Sequence, residues 1–492
     1  MRDRQNMQEP LALIFEHSVP GRSQQYLPAE ELHVDVQGAA LRKIPLNLPE
    51  IAEIELGRHY SELEERTHGI NNGPYLLGSC TMKYNPRLNE RVASLPGFTD
   101  IHPLQSVTNS QGALGVYHEA AERLCEITGM EHMTFQPAAG SHGELVGMLL
   151  IRAYHEDKEG NETERNEILI PDAAHGTNPA SAAMAGFKVI NVPSDGDGSM
   201  DIEKLRELAG PKTAGLMLTN PDTEGVFDTK IREITEIVHA AGGLCYYDGA
   251  NLNAIMGVVK PGAMGFDVIH LNLHKTFSTP HGGGGPGACA VGIKDVLYPY
   301  MPEGLVQLQD DGSLAAIRPK KSIGRVRSFS GNFLVVLRAL TYLLVLGREG
   351  VRETAETAVL NANYLKKGLE DLFPMSFDDL CMHEFVMNLS ELKKETGVTA
   401  RDVAKGLLDY GMHPPTMYFP QTVPEALMVE PTETESPERL DAIIGAFREI
   451  YQKAHDEPET LTEGPWTTPV RRPDEVEAAR RPVLRWRPEH AD

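Results

Sequence analysis

The chain reads as an α/β protein: a large domain built on a mostly parallel sheet covered on both faces, followed by a smaller C-terminal α/β domain. Two patterns predict this. Between about residues 96 and 330, short apolar strand candidates alternate with helical segments and Gly/Pro loops, the order from which crossover connections build a parallel sheet. From 331 to 455, a long apolar helix opens a second stretch, which passes through Phe385-Val-Met-Asn-Leu389 to further helices. The 492 residues suit two or three domains at ~150 residues each, and an apolar content of 41% is enough for a large core.

The elements follow in order. Residues 1–95 mix an extended, proline-containing start with a helix-like stretch over Glu50–Glu65. The run Phe135–Arg152 passes from a small-residue loop into a helix, with Ser141 and Glu144 at the S-x-x-E spacing of a capping box. Glu167-Ile-Leu-Ile-Pro171 reads as a strand, and the loop after it ends at Asn178-Pro179, which suits an N-cap followed by proline in the first helical position. Further strands are expected at Phe187–Val192, Ala214–Thr219, Leu244–Tyr247 and Val268–Leu273. Before the third of these, Ile231, Ile234, Ile237, Val238 and Ala241 share one face of a helix that Gly242-Gly243 terminates. The tail 456–492 holds six prolines, Trp466, Trp486 and Arg471, Arg472, Arg480, Arg481, Arg485 and Arg487. Such a composition is either disordered or wraps a partner, since tryptophan and arginine are favoured at interface hot spots.

Charge and cysteine usage exclude several classes. A net charge of −24 argues against nonspecific binding to nucleic acid or to an anionic membrane. The five cysteines (80, 125, 245, 289 and 381) show no C-x-x-C spacing, so neither a zinc site nor a disulfide framework is expected. Met1-Arg-Asp-Arg-Gln leads into no apolar signal core, and the longest apolar stretch, Leu334–Leu346, is broken by Arg338. A cytoplasmic protein is the expectation.

The chemistry concentrates in Asp267–Gly287. A short apolar strand delivers Lys275 to a turn, and five glycines in six residues follow at 282–287, broken by Pro286. A partly desolvated lysine there is able to form a Schiff base with an aldehyde cofactor, and glycines let backbone approach a planar group. A surface lysine before a tight turn is the plain alternative. The partner is Asp248, 27 residues upstream at the C-terminal end of a strand, where parallel sheets bind ligands. Beside a pyridine nitrogen it would keep the ring protonated as an electron sink. A helix cap or a metal ligand is the other use of such an aspartate. Ala250 is small enough for a ring to lie against. Gly140 and Ser141 start a helix whose N–H groups suit a phosphate, although an ordinary helix start looks the same. His175, on its loop, would lie flat over an aromatic cofactor or bond its own loop.

Together the segments Leu77–Lys83, Gln136–Glu144, Ala174–Ala182, Tyr247–Asn251 and His270–Gly287 resemble the pyridoxal phosphate (PLP) subunit of the glycine cleavage system P-protein, the glycine dehydrogenase (decarboxylating) subunit 2 family. The resemblance implies the fold-type I, aspartate aminotransferase-like architecture of PLP enzymes, and PLP held as a Schiff base on Lys275. It also implies glycine decarboxylation with aminomethyl transfer to the lipoyl arm of the H-protein. His175 is then expected over the ring as a catalytic residue, with Gly140 and Ser141 at the phosphate. Thr177, Asn251 and His274 are expected as further cofactor contacts, although His274 equally suits a core histidine. Subunit 1 completes the enzyme, as a heterotetramer of two copies of each.

For the glycine carboxylate, the matching loops offer Ser79, Cys80, Thr81 and His281. Cys80 reads more simply as a small packing residue. Two other functions compete: another fold-type I PLP enzyme, such as a cysteine desulfurase or aminotransferase, and a scaffold half without cofactor. No cysteine stands on an evident Gly-rich loop as a desulfurase needs, and the presence of both Lys275 and Asp248 speaks against a scaffold.

Overall fold

The computed structural model describes residues 11–22, 43, 46, 48–160, 163–172, 174–195, 199–282 and 287–485. The start Met1–Gln5, the glycine-run residues 283–286, and Trp486 and Arg487 lie outside the described residues.

Upstream of the main sheet lie α1 (Glu53–Glu65), α2 (Arg87–Ala93), the one-turn α3 (Pro96–Thr99) and α4 (Gln111–Thr128). The sheet has seven strands: β1 (His132–Thr134), β2 (Glu167–Pro171), β3 (Lys188–Val192), β4 (Thr213–Leu218), β5 (Leu244–Asp248), β6 (Val268–Asn272) and β7 (Cys289–Ile293). Their order is β1-β7-β6-β5-β4-β2-β3. The pairs joining β3, β2, β4, β5 and β6 are all parallel, as the alternation predicts. Four helices supply the connections: α5 (Gly140–Glu159), α6 (Thr177–Met184), α7 (Ile202–Leu208) and α8 (Ile231–Ala240). β7 runs antiparallel to both neighbours. The reason is the link from β6, a loop carrying Lys275 and the glycines. Without a crossover helix the chain turns back on itself, and Leu273 N–H donates to Ala288 O at 3.0 Å.

Alternation along the strands feeds two cores. Tyr247, Leu216, Leu218, Ile269 and Leu271 face α4, α8 and the first half of a long helix. Tyr246, Met217, Ile168, Ile170 and Val268 face α5 and α6. Close approach of α5 to the sheet requires Gly147: a Cβ there would stand 2.2 Å from the Tyr246 ring.

A hairpin, β8 (Leu305–Leu308) and β9 (Leu314–Ile317), precedes α9 (Phe333–Leu369). Gly347, at φ +63° and ψ −173°, breaks α9 into two helical pieces. The second piece joins another core, with β10 (Phe385–Asn388), β11 (Thr416–Met417) and β12 (Ala426–Val429) in the antiparallel order β10-β12-β11. Around this sheet come α10 (Ser390–Thr396), α11 (Ala400–Asp409), α12 (Pro437–Asp456), α13 (Pro458–Thr462) and α14 (Glu475–Arg480).

The first part of the tail is held against the body of the chain. Trp466 N–H donates to Asp409 Oδ1 at 2.8 Å, its indole N–H donates to Thr460 O at 2.8 Å, and the Arg471 guanidinium lies 4.0 Å from the ring centre. Arg472 pairs with Asp402 at 2.8 Å. The tail's own chain is thus the partner that Trp466 and these arginines find, which the composition did not reveal.

Two helix starts differ from expectation. α5 begins at Gly140 with Ala139 at the N-cap and no side-chain cap, so Ser141 and Glu144 form no capping box. Glu144 turns sideways instead, accepting from Thr177 Oγ1 and Ser181 Oγ at 2.8 Å each. α6 begins at Thr177 with Gly176 at the N-cap, so Asn178 and Pro179 lie inside its first turn. Proline is tolerated there because first-turn N–H groups have no intrahelical acceptor, and Asn178 is freed for another task.

One buried cation ties the N-terminal segment to the rest. Lys83 Nζ, 1% exposed, donates to Glu433 at 2.7 Å, Asn253 at 2.9 Å and Tyr342 at 3.2 Å. Truncating one member of such a pair strands the other, at a cost of about 3–5 kcal/mol. Lys83→Ala is therefore expected to lower the stability of the chain by that order in urea unfolding.

Candidate active site

The parallel strands end on one edge, and the chemistry-bearing residues gather beyond it. Asp248 is the last residue of β5, and Lys275 lies in the turn after β6. His175 and Thr177 follow β2, and Gly140 and Ser141 open α5. With Ala250, Asn251 and Ser79 they surround a cavity of about 210 Å³. Every cofactor candidate from the sequence lines it except His274. That side chain packs behind the turn, with Nδ1 3.1 Å from Ala288 O and its ring edge-on to His281 at 4.9 Å. Burial, His281 and Lys275 push His274 down to about 4. It is a neutral, satisfied histidine beside Gly287, where a Cβ would meet its ring at 2.3 Å. Its Nε2 lies 3.4 Å from Asn272 Nδ2, a residue that does line the cavity.

Lys275 is half-buried, and its Nζ donates to Ser79 O at 2.8 Å. The surface-lysine alternative is thereby set aside. Ser79 sits at φ +62°, in the left-handed region, and its N–H donates to Glu384 Oε2 at 2.5 Å.

Asp248 is 3% exposed. Burial pushes its carboxyl up, but the His270 ring, the Ala250 N–H, Lys275 and Asn178 together outweigh that and hold it below the usual carboxylate range. The contacts are Ala250 N–H at 3.0 Å on Oδ1, Asn178 Nδ2 at 2.9 Å on Oδ2, and His270 Nε2 3.4 Å from Oδ1. Asp248 thus caps the 3-10 turn after β5 and also presents an anion to the cavity. Asn178 and His270 were not found from the sequence. By its spacing Asn178 suits a cap, and His270 lies on a strand with nothing local to separate it from an ordinary core residue.

Glu144 shares this wall. Burial and then the neighbouring Asp248 push its carboxyl up, opposite to the shift of Asp248. Its donor Thr177 also has its Oγ1 2.8 Å from His175 Nδ1. One chain of contacts therefore runs from α5 through α6 to the loop imidazole. His175 bonds within its own loop and meets Phe419 edge-on at 5.7 Å. Asn251 holds the opposite loop, donating to Pro221 O at 3.0 Å and Asp222 O at 3.1 Å. Of the carboxylate candidates, Ser79 lines the cavity and Thr81 is buried beneath it. Cys80 is held up by burial against the pull of Lys275.

This fold, with its lysine, aspartate and helix start at one sheet edge, defines the class of fold-type I PLP enzymes. The chain is similar in structure to the inhibitor-bound glycine decarboxylase (P-protein) of the glycine cleavage system, with a TM-score of 0.68 at 20% identity, covering 85% of this chain and 93% of that one. It is also similar to the apo cysteine desulfurase of Thermococcus onnurineus, with a TM-score of 0.60 at 14% identity, over 78% and 95% of the two chains. A family model described as glycine dehydrogenase, C-terminal domain, matches residues 354–467. The probable glycine dehydrogenase (decarboxylating) subunit 2 of Treponema denticola is 56% identical over 477 residues, 96% of this chain and 98% of that one. Its counterpart in Thermococcus kodakarensis is 54% identical over 480 residues, 96% and 95% of the two chains. The chain belongs to the glycine dehydrogenase (decarboxylating) subunit 2 family. Membership implies use of PLP and work alongside subunit 1 and the H-protein.

The Asn178–Asp248 contact is a buried hydrogen bond to a charge, and leaving such a group unpaired costs about 1–3 kcal/mol. Asn178→Ala is expected to cost that much in urea unfolding. The loss should shrink in an Asp248→Asn background, which a double-mutant cycle reads directly.

Proposed function

We propose that this chain is the cofactor-bearing half of glycine dehydrogenase (decarboxylating). Two copies, assembled with two of subunit 1, would decarboxylate glycine and pass its aminomethyl group to the lipoyl arm of the H-protein. The observation carrying this reading is the convergence of Lys275 and the ionised, buried Asp248 on one cavity in a chain of this family. The donor set fits PLP. Lys275 would hold its aldehyde carbon, Asp248 would face the pyridine nitrogen, and Gly140 and Ser141 at the start of α5 would take the phosphate. His175 and Ala250 would flank the ring, with Thr177 and Asn251 at its margins. Bound there, PLP supplies the electron sink that accepts the pair left by departing CO2.

The rest is the work of the chain's own side chains. Asp248 must stay anionic, and the contacts from His270, Ala250 N–H and Asn178 serve that end. The loop at Ser79 brings a wall of the cavity against Lys275, so the bond to be broken can be held perpendicular to the ring, where orientation contributes most. Lys275 is placed to exchange a proton at the substrate carbon. Among the described lining residues none is an arginine. A firm ion pair would stabilise the ground state of a decarboxylation. The fold likeness to desulfurases does not carry over to the chemistry. Cys80 stands near Lys275 and Glu430, yet burial holds its thiol up, away from the reactive thiolate. Five free cysteines fit a reducing cytoplasm.

Exchange of labelled bicarbonate into glycine, with subunit 1 and H-protein added, tests the reading. The wild-type chain should support exchange and show the visible absorption of bound cofactor, and Lys275→Ala should lose both. Exchange and colour both surviving that substitution would overturn the assignment.

A further inference from the structure

Behind Ser79, on the side of the C-terminal sheet, lies a second group of ionisable side chains. Glu384, just before β10, and Glu430, just after β12, are 0% and 1% exposed. They and His383 offer ligand-type atoms within 4.8 Å of one another. Burial drives His383 down to about 3, so it brings no positive charge to balance them. The groups facing the pair are Lys275 from the main sheet's edge, Cys80 and Lys83 from the N-terminal segment, Asp222 from the loop after β4, and Glu433 beyond β12. Lys83 is already paired with Glu433 at 2.7 Å. Two carboxyls this close and this buried cannot both ionise, so at least one of them stays protonated. Burial pushes Glu430 up to about 8 and Glu384 well above the usual carboxylate range.

Glu384 is mechanically connected to the lysine. Its Oε2 accepts the Ser79 N–H at 2.5 Å, and the Ser79 carbonyl accepts from Lys275 Nζ at 2.8 Å. Ser79 holds a left-handed backbone at φ +62°, which a non-glycine residue keeps only when its surroundings impose it. Thr416 Oγ1, donating to Gly78 O at 2.7 Å, fixes the preceding residue to the same sheet.

We propose that Glu384 is a positioning residue for Lys275, acting through Ser79, and that it works as a neutral acid. The proposal rests on the reading of Lys275 given above. It predicts that the C-terminal sheet, through this carboxyl, sets where the lysine amine stands. It also predicts that a neutral amide can replace the acid, because glutamine's carbonyl accepts the same Ser79 N–H.

The test uses the full-length chain with subunit 1, reconstituted with PLP. Glu384→Ala should lower kcat for glycine–bicarbonate exchange on the order of 10²-fold, with a smaller change in KM, as a misplacement of about 1 Å does. It should also move the pH midpoint of the visible band, and Glu384→Gln should recover most of both losses. A second arm needs no cofactor. The native pair keeps a proton that an unfolded glutamate releases near pH ~4.3, so stability falls as pH rises through the window up to the titration of Glu430 at about 8. Glu430→Gln should flatten that fall in urea unfolding. Glu384→Gln as damaging as Glu384→Ala, an unaltered Glu384→Ala enzyme, or an unchanged pH slope in Glu430→Gln would each overturn the proposal. If Lys275→Ala keeps its colour, the reading of Lys275 fails instead, and the stability arm still stands on its own.

Discussion

A buried carboxylate that stays ionised organises this molecule. Asp248 is nearly inaccessible, and burial alone would protonate it. It remains charged because groups from separate elements meet it: Asn178 from α6, His270 from β6 and the Ala250 N–H from the turn that follows β5. None of these is local to the others along the chain, so the anion forms only when the parallel sheet is complete. The fold therefore bears the desolvation cost of the charge in advance. On the proposed reading, a cofactor whose ring nitrogen must stay protonated would meet a partner needing no rearrangement.

The two sides of the cavity differ in origin. One is the ligand edge of the main sheet, carrying Asp248, Lys275, His175 and the start of α5. The other is the short segment from Gly78 to Lys83, bound to the C-terminal sheet and to α9 rather than to the main sheet's strands. Thr416 holds Gly78 O, Glu384 holds Ser79 N–H, and Glu433, Asn253 and Tyr342 hold Lys83. The carbonyl that meets Lys275 Nζ is thus fixed by residues more than 300 positions away in sequence.

Strands β2 to β6 were legible because each is a short apolar run bounded by turn residues, and the lysine turn because its glycines and the strand before it are adjacent in sequence. β1 and β7 were missed: three residues in one, and Cys-Ala-Val-Gly-Ile in the other, carry little strand signal. Ser141–Glu144 and Asn178–Pro179 matched local capping rules, yet tertiary partners claimed Glu144 and Asn178 for the site. Sequence spacing cannot show a side chain recruited by a neighbouring element. The same limit hid Glu384 and Glu430, whose significance lies in their closeness to each other and to Ser79 rather than in any motif.

The likeness to cysteine desulfurases at 14% identity shows how little of the chemistry the sheet itself dictates. On the proposed reading, a parallel sheet with a lysine beyond β6 and an aspartate ending β5 would give a place for a pyridine ring, and several reactions suit such a place. The wall opposite is a small-residue segment with a half-buried thiol, a serine in the left-handed region, and two buried carboxyls behind it. On the proposed reading, that wall would offer glycine the polar atoms of Ser79 where an aminotransferase would present a guanidinium. A substrate whose carboxylate must depart is served by weak, oriented contacts of this kind. Specificity for decarboxylation is therefore to be sought in the segment around Ser79 and in the C-terminal residues that hold it in place.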